Sequence, residues 1–253
     1  MQNCIKCHDR KLNRMKSVFN VVLFAILTGV FFFFFFRSVF SQTEKTPNQI
    51  LFTTEVHEPL KIYISCHLRK LKRDVGKNRK YHEATFSYLY QGDSVSLDIK
   101  VRTRGHFRRD PANCNFPPIK LNFSDDNTQN TLFEGQDKIK MVTPCQKNRD
   151  RFEQFVMQEF LIYKMYNLLT EYSFRVRLAE FTFIDTQGKY DTYTIKGYMI
   201  EDNDKLAGRC GGKIIEFENI PQDGTNFEQM TMIAIFQYLI GNTDWSVSAL
   251  HNM

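Results

Sequence analysis

The feature that most constrains this chain is an uncharged, apolar run of twenty residues from Ser17 to Phe36, which ends in six consecutive phenylalanines. At about 1.5 Å rise per residue, a helix of this length spans about 30 Å, the thickness of a bilayer core. In a soluble helix, six successive phenylalanines would expose aromatic surface on every side. The run therefore predicts a membrane-spanning segment.

Charges on either side of the run predict its orientation. Five Lys and Arg residues and one acid, Asp9, precede the run, whereas only Arg37 follows it before the polar stretch 41–44. Because positive residues favour the cytoplasmic side, we expect the N-terminus in the cytoplasm and the rest of the chain outside it. The length of the run favours a retained single-pass anchor, and the alternative is cleavage near Ser41 to give a secreted protein.

This interpretation divides the chain into a cytoplasmic basic flank (1–16), a transmembrane anchor or uncleaved signal (17–36), a linker (37–58) and one exported domain (59–253). Of the 34 basic and 28 acidic residues, residues 1–41 hold six and one, which leaves 28 and 27 for the remainder. The pI of about 8.9 therefore reports the N-terminal flank. We expect the membrane as a partner and no nucleic acid.

A local basic segment, Arg69–Arg73 with Lys77, Arg79 and Lys80, stands out in the otherwise neutral domain. Such a segment could bind an anionic surface or headgroup. A solvated loop or helix face explains the same charges. Both interpretations stay open.

Four cysteines follow the apolar run, on the side where disulfides persist: Cys66, Cys114, Cys145 and Cys210. Cys114 and Cys145 each adjoin a predicted strand, and neighbouring strands bring Cα atoms within bridging distance. We therefore predict a Cys114–Cys145 disulfide. Cys66 and Cys210 either pair with each other or stay free.

The two remaining cysteines form the pattern Cys4-x-x-Cys7-His8, which matches the attachment site of c-type haem. Haem is attached outside the cytoplasm, whereas the flanking charges place this motif inside. We therefore expect no haem. A zinc site, a redox pair and a chance match remain as explanations.

Alternation of apolar and polar residues predicts short strands at 61–65, 84–90, 95–103, 119–123 and 138–142. A hairpin follows, with strands 177–184 and 190–200 joined across the turn residues 186–189. This pattern is typical of an antiparallel sheet with one exposed face.

Two segments have the spacing of helices. Residues 150–170 carry an apolar stripe that includes Glu159, whose carboxylate is expected either to find a buried partner or to reach solvent at the edge of the stripe. Residues 227–240 are apolar nearly all round, which predicts a deeply buried helix.

The second helix delivers Gly241-Asn242-Thr243-Asp244 and then His251-Asn252 onto a loop. This arrangement resembles the catalytic loop of kinase-fold phosphotransferases, and specifically that of the CotH-type spore-coat kinases and related atypical kinases. The upstream order, from the arginines of 102–105 to a lysine-bearing strand, a helix and a hairpin, is similar as well. The resemblance covers residues from about 60 to 253.

The resemblance implies roles for individual residues. Asp244 would be the catalytic base and Asn252 a magnesium ligand. Lys140 would contact the phosphates of ATP and pair with Glu159, with Lys120 as the competing candidate.

Glu201, at the end of the hairpin, would mark the hinge that faces the nucleotide in such an enzyme. The fold that the resemblance implies is α+β, a kinase-like two-lobed domain with an antiparallel sheet and a helical half. The expected function is ATP- and magnesium-dependent phosphotransfer to an envelope or secreted protein. The alternative is a catalytically inactive envelope binding or structural module with the same fold.

The chain ends one residue after Asn252, before the strand and the Asp that such a fold would place next. We therefore expect a fragment of a longer protein. If the sequence is the whole protein, we expect it not to turn over ATP efficiently.

Overall fold

The computed structural model describes residues 51–52, 58–146, 149–215 and 219–249. Its strands are β1 (Leu60–Cys66), β2 (His82–Tyr90), β3 (Asp93–Thr103), β4 (Ile119–Asn122), β5 (Lys138–Val142), β6 (Val176–Asp185) and β7 (Tyr193–Ile200). Its α-helices are α1 (Leu68–Arg73), α2 (Asp125–Thr128), α3 (Asp150–Asn167), α4 (Asn203–Arg209) and α5 (Phe227–Leu239). Short 3₁₀ turns lie at Phe107–Arg109 and Gln222–Gly224.

The strands form a closed barrel in the order β1-β2-β3-β4-β5-β7-β6. Neighbours pair antiparallel except at the closure, where β1 runs parallel to β6 and Leu60 lies opposite Ala179. On the other side of the hairpin, Val142 of β5 lies opposite Tyr198 of β7. Each strand therefore has a hydrogen-bonded partner on both sides, and the sheet has no open edge.

The predicted kinase-like two-lobed fold, with an antiparallel sheet and a helical half, is therefore wrong. The strand positions follow the alternation in the sequence closely, and β5 has the predicted bounds. What differs is the pairing, since the sheet returns on itself through the parallel β1–β6 contact. Alternation fixes which face of a strand is buried, but it does not fix which strand lies beside it.

Side chains fill the interior of the barrel. Phe86, Phe123 and Phe133 pack with ring centroids 4.9 to 5.3 Å apart. Phe183 packs in the same interior against Phe116, with centroids 4.8 Å apart. A seven-stranded ring is small enough to be filled in this way. We therefore expect ligands on the outer face of the barrel rather than inside it.

Helix α3 covers part of that outer face. Its buried Val156 packs against Val142, Val176, Tyr198 and Ile200, which form a small second core outside the ring. Acidic residues in its first turn complement the positive end of the helix dipole. Because α3 packs here through Val156, its other faces are available to line a site beside β5 and β7.

The prediction that the helix at 227–240 is deeply buried is wrong. Phe227 is 82% exposed and Tyr238 is 89% exposed, whereas Phe236 is buried. The side chain of Asn226 begins the helix by accepting a hydrogen bond from the Gln229 N–H, 3.0 Å away. A helix that is apolar on every side gives no indication of which side faces the core.

The predicted disulfide between Cys114 and Cys145 is confirmed, with a Cα–Cα distance of 4.8 Å. The Asn115 N–H also donates to the Cys145 carbonyl oxygen, 3.1 Å away. Together they tie the loop between β3 and β4 to the segment after β5. Of the other described cysteines, Cys66 and Cys210 are free.

The structure does not support the prediction of a transmembrane, single-pass membrane protein. Within the described ranges, no helix combines the length and the apolar character needed to cross a bilayer. The predicted span 17–36 and the haem-like motif Cys4–His8 lie outside the described residues.

Gly197→Ala should destabilise the barrel. A Cβ atom at this position of β7 would collide with the Val142 carbonyl oxygen and lie 3.1 Å from the Phe181 ring. We expect a loss of about 1 to 3 kcal/mol in the free energy of unfolding, measured by urea denaturation. Gly208→Ala in α4 is the control, because nothing lies within 4 Å of its Cβ position. Equal stability of the two variants would contradict the packing described.

Removal of the disulfide should also destabilise the fold. The bridge closes a loop across a sequence separation of 31, and a loop of this size predicts a loss of about 2 to 4 kcal/mol. The double variant Cys114→Ser/Cys145→Ser tests this by thermal denaturation. Cys210→Ser, at a free and partly exposed thiol, should leave the melting temperature nearly unchanged.

Candidate anion-binding cleft

Three cations stand side by side on the outer face of the barrel. Arg102 of β3 lies opposite Lys120 of β4, which lies opposite Lys140 of β5. Their sequence neighbours Val101 and Leu121 are buried in the barrel interior, so strand alternation puts the cations outside. Like charges directly opposite each other destabilise a sheet. This set of three, which we call the cationic row, is therefore unfavourable unless an anion lies on it.

Two residues at the beginning of α4 face the row. The Lys120 ammonium lies 3.8 Å from the Asp202 carboxylate, and the Lys140 ammonium donates to the side-chain oxygen of Asn203. Among the ion pairs of the described residues, only the pair between Lys120 and Asp202 involves a member of the row. A single carboxylate thus opposes three positive charges.

Lys140 is a partly buried member of the row. Burial lowers its pKa, and the charges of Arg104 and Lys120 lower it further, while Asp202 acts in the opposite direction. Its ammonium lies 5.1 Å from the centre of the Phe174 ring. A bound anion would favour the charged form of Lys140 and relieve this strain.

Two arginines of the loop after β3 extend the positive region. Arg104 donates to the Met141 carbonyl oxygen, 3.1 Å away, and Arg108 donates to the Thr143 carbonyl oxygen. Burial and then the charge of Arg108 lower the pKa of Arg104, while the Glu159 carboxylate opposes the change. The Nε atoms of both arginines are buried without an acceptor among the described residues. Buried donors of this kind are usually satisfied by a ligand or by water.

Glu159 of α3 is exposed, yet its charge acts on the groups around it. It raises the pKa of both Arg104 and Arg108, against the effect of their burial. Burial, and then the charge of Glu159, raise the pKa of Tyr163 to about 12 and also raise that of Tyr198. Both phenols therefore stay protonated near neutral pH and remain hydrogen-bond donors.

A cavity of about 400 Å³ opens beside these groups. It lies between α3, the segment 172–174, α4 and α5. Its lining includes Glu159, Tyr163, Tyr166, Tyr172, Phe174, Phe236 and Asn242. Because Phe174 lines the cavity and also packs against Lys140, the cavity adjoins the cationic row. We call the cavity and the row together the cleft.

The loop after α5 begins at this cavity. Gly241 has a φ of 67°, a left-handed conformation that glycine adopts at helix ends without strain. The Asn242 side-chain amide donates to the Gln237 side-chain oxygen, 2.8 Å away. The Asp244 N–H donates in turn to the Asn242 side-chain oxygen, 3.0 Å away. Asp244 is exposed and lies two residues after Asn242, which lines the cavity.

The remaining predicted site residues have other surroundings. Glu201 is only 1% exposed, and its carboxylate lies 2.9 Å from the Arg209 guanidinium and accepts from the Arg175 N–H, 3.2 Å away. Asn252 lies outside the described residues. Lys140 has Asn203 as its partner, whereas the charge of Glu159 acts on Arg104. The structure therefore brings Lys140, Lys120 and Glu159 to one cleft and gives Glu201 a structural ion pair.

Arg104, Arg108 and Phe174 had no role assigned from the sequence. A signal for Arg104 was present, because Arg102 and Arg104 flank Thr103 at the end of β3 and alternation puts both on the outer face of that strand. Arg108 lies in the 3₁₀ turn Phe107–Arg109, where alternation gives no signal. Phe174 carries no comparable signal, since its position next to Lys140 depends on how α3 leads into β6.

In the part of the chain that the structure describes, no group of three or more His, Cys, Asp or Glu side chains is placed to hold a metal ion. No protein-family model matches the sequence, and no curated protein matches it either. A functional assignment for this chain therefore rests on the geometry of the cleft.

Removing one cation from the row should stabilise the ligand-free protein. Lys140→Met keeps most of the side-chain volume, relieves repulsion and desolvation, and should add about 0.2 to 1 kcal/mol to the free energy of unfolding. Urea denaturation at low ionic strength measures the change. The control is Lys196→Met, which breaks an ion pair with Glu153 of 3.2 Å on β7 and should bring no gain. A loss of stability in Lys140→Met equal to that in the control would contradict the proposed imbalance of charge.

Proposed function

We propose that this chain binds ATP with magnesium at the cleft and transfers a phosphoryl group at low efficiency, a function similar to that of CotH-type kinases. The observation that carries the proposal is the junction between a row of cations with one carboxylate partner and an aromatic cavity of about 400 Å³. A nucleotide has the same two parts, a polyanion and an apolar ring. The proposal rests on this site and not on a two-lobed fold, since function follows from the site.

The phosphates would contact the cationic row and Arg104. Charge-assisted hydrogen bonds to phosphate are stronger than neutral ones, and a guanidinium can bind two phosphate oxygens at once. The charge of Arg104 lowers the pKa of Lys140, and the Lys140 ammonium lies 5.1 Å from the centre of the Phe174 ring at the cavity. It would therefore be the cation nearest the junction of phosphate and nucleoside.

The aromatic cavity would hold the base of the nucleotide. Tyr163, Tyr166 and Phe174 supply apolar faces, and small-molecule sites are commonly lined in this way with a few polar groups at fixed places. Aromatic side chains also pack well against flat rings.

Asp244 would accept the proton of the acceptor hydroxyl. The acceptor oxygen would form a bond to the γ-phosphorus of ATP as the bond to ADP breaks and ADP leaves, and bound magnesium would neutralise the phosphate charge. Magnesium usually takes only one or two protein carboxylates in addition to phosphates and water. Asp202 beside Lys120 supplies a ligand of that kind. The hydrogen bond from the Asp244 N–H to Asn242 would position Asp244 for its separate role as the base.

Binding and transfer can be tested separately. Adding ATP with magnesium should raise the melting temperature of the parent protein. Lys140→Met should weaken binding about tenfold or more, the equivalent of about 1.4 kcal/mol, as measured by calorimetry. Lys196→Met, which removes an equal charge away from the cleft, should bind like the parent.

Asp244→Asn should retain ATP binding and lose phosphoryl transfer, measured as phosphate release or as labelling of a protein acceptor with radioactive ATP. If the parent binds ATP and transfers nothing, the protein is a binding module without catalysis. If the parent shows no ATP-dependent thermal shift and no calorimetric signal, the proposal fails entirely.

A further inference from the structure

A second concave surface lies between α1 and the loop that leads to β2, and it takes no part in the proposed function. Its volume is about 490 Å³. Residues that line it include His67, Arg69, Lys70, Arg73, Lys80 and His82. We call this surface the basic groove.

The acid of this groove, Asp74, is already engaged. Its Oδ2 atom accepts from the Lys80 N–H and lies 2.8 Å from His82 Nε2. Although desolvation opposes the change, these hydrogen bonds lower the pKa of Asp74. Within the described ranges, no ion pair joins the Lys and Arg side chains of the groove to an acid. The groove therefore combines four unneutralised cations with two histidines.

The loop under these cations is fixed to the barrel. The Thr103 hydroxyl donates to the Asp74 carbonyl oxygen, 2.5 Å away. Arg79 donates to the Thr103 carbonyl oxygen at 3.0 Å and to the Gly76 carbonyl oxygen at 2.9 Å. Because these bonds hold the loop, the backbone of Lys80 has a fixed position beside α1 before any ligand arrives, which lowers the entropy cost of binding.

The negative end of α1 explains only part of this charge. Lys70 and Arg73 lie in its last turn, where cations offset the unpaired carbonyl groups. Arg69 and Lys80 have no such role. His67 Nδ1 is also buried without a hydrogen-bond partner among the described residues, and a buried polar atom of this kind requires a partner.

We propose that the basic groove binds a ligand that carries phosphate groups, at a site separate from the cleft. Phosphate suits the groove better than a single carboxylate does, since it offers more acceptor oxygens and more charge to four converging cations. Arginines supply the forked donors that recognise it. The same chemistry is found in a free polyphosphate compound and in a phospholipid headgroup.

Tripolyphosphate is a suitable soluble probe, and phosphatidylcholine vesicles containing phosphatidic acid represent the headgroup. The Lys140→Met protein is used throughout, so that the cleft contributes little. Arg69→Gln/Arg73→Gln/Lys80→Gln should weaken binding about tenfold or more, or about 1.4 kcal/mol, by calorimetry for the soluble probe and by co-sedimentation for vesicles. The matched control, Lys61→Gln/Lys196→Gln/Lys213→Gln, removes the same charge at exposed positions elsewhere and should bind nearly as well as its parent.

A local readout separates the groove from the cleft. Binding should shift the ring resonances of His67 and His82 in NMR spectra, with assignments made from His67→Gln and His82→Gln. Binding of tripolyphosphate alone identifies a soluble ligand, and binding of vesicles alone identifies a headgroup. Equal loss in the groove variant and the control, absence of binding to either probe, or binding that leaves both histidines unshifted would overturn the proposal. None of these outcomes bears on ATP binding by the parent protein.

Discussion

The whole arrangement depends on the alternation of side chains along a closed ring of strands. In β3, β4 and β5, every second residue enters an interior packed with phenylalanines, so the residues between them must lie outside. Register then decides which outer residues stand together, and it sets Arg102, Lys120 and Lys140 opposite one another. The burial of Val101 and Leu121 is thus also what aligns the cations.

The alignment of the three cations lowers the stability of the ligand-free sheet and favours the binding of an anion. A sheet gains when opposite charges face each other across strands, and it loses when like charges do. The barrel bears that cost at the row and again at the two arginines after β3, whose buried Nε atoms have no acceptor among the described residues. The disulfide and the carbonyl contacts of Arg104 and Arg108 hold the loop in place regardless. Rigid support of this kind keeps a site preorganised when its own charges repel.

Local patterns in the sequence predicted the elements well. The bounds of β5, the helix that carries Glu159 and the Cys114–Cys145 bridge all follow from spacing and from neighbouring residues. What failed depends on contacts between distant segments. The closure of β1 on β6 and the partner of Lys140, an asparagine in α4, involve residues far apart in the chain, and periodicity carries no record of them.

The helix at 227–239 is a second case in which the local pattern was insufficient. Its surface is apolar on every side, so the sequence did not indicate which side packs against the core. Glu201 was assigned by resemblance to a nucleotide-facing position, and its geometry depends on Arg209, one helix further on. The sequence alone shows on which face of a strand a charged side chain lies. It does not show the partners of that side chain, because these belong to other elements of the fold.

The parallel pairing of β1 with β6 has a consequence for how the chain reaches this state. Leu60 meets Ala179, so the first strand must wait, during synthesis, until on the order of a hundred further residues have emerged. Until then β1 has an unpaired edge, and such edges readily associate with other chains. Yield in a recombinant host would accordingly depend on how quickly the ribosome delivers β6, and slow translation before that strand would favour aggregation.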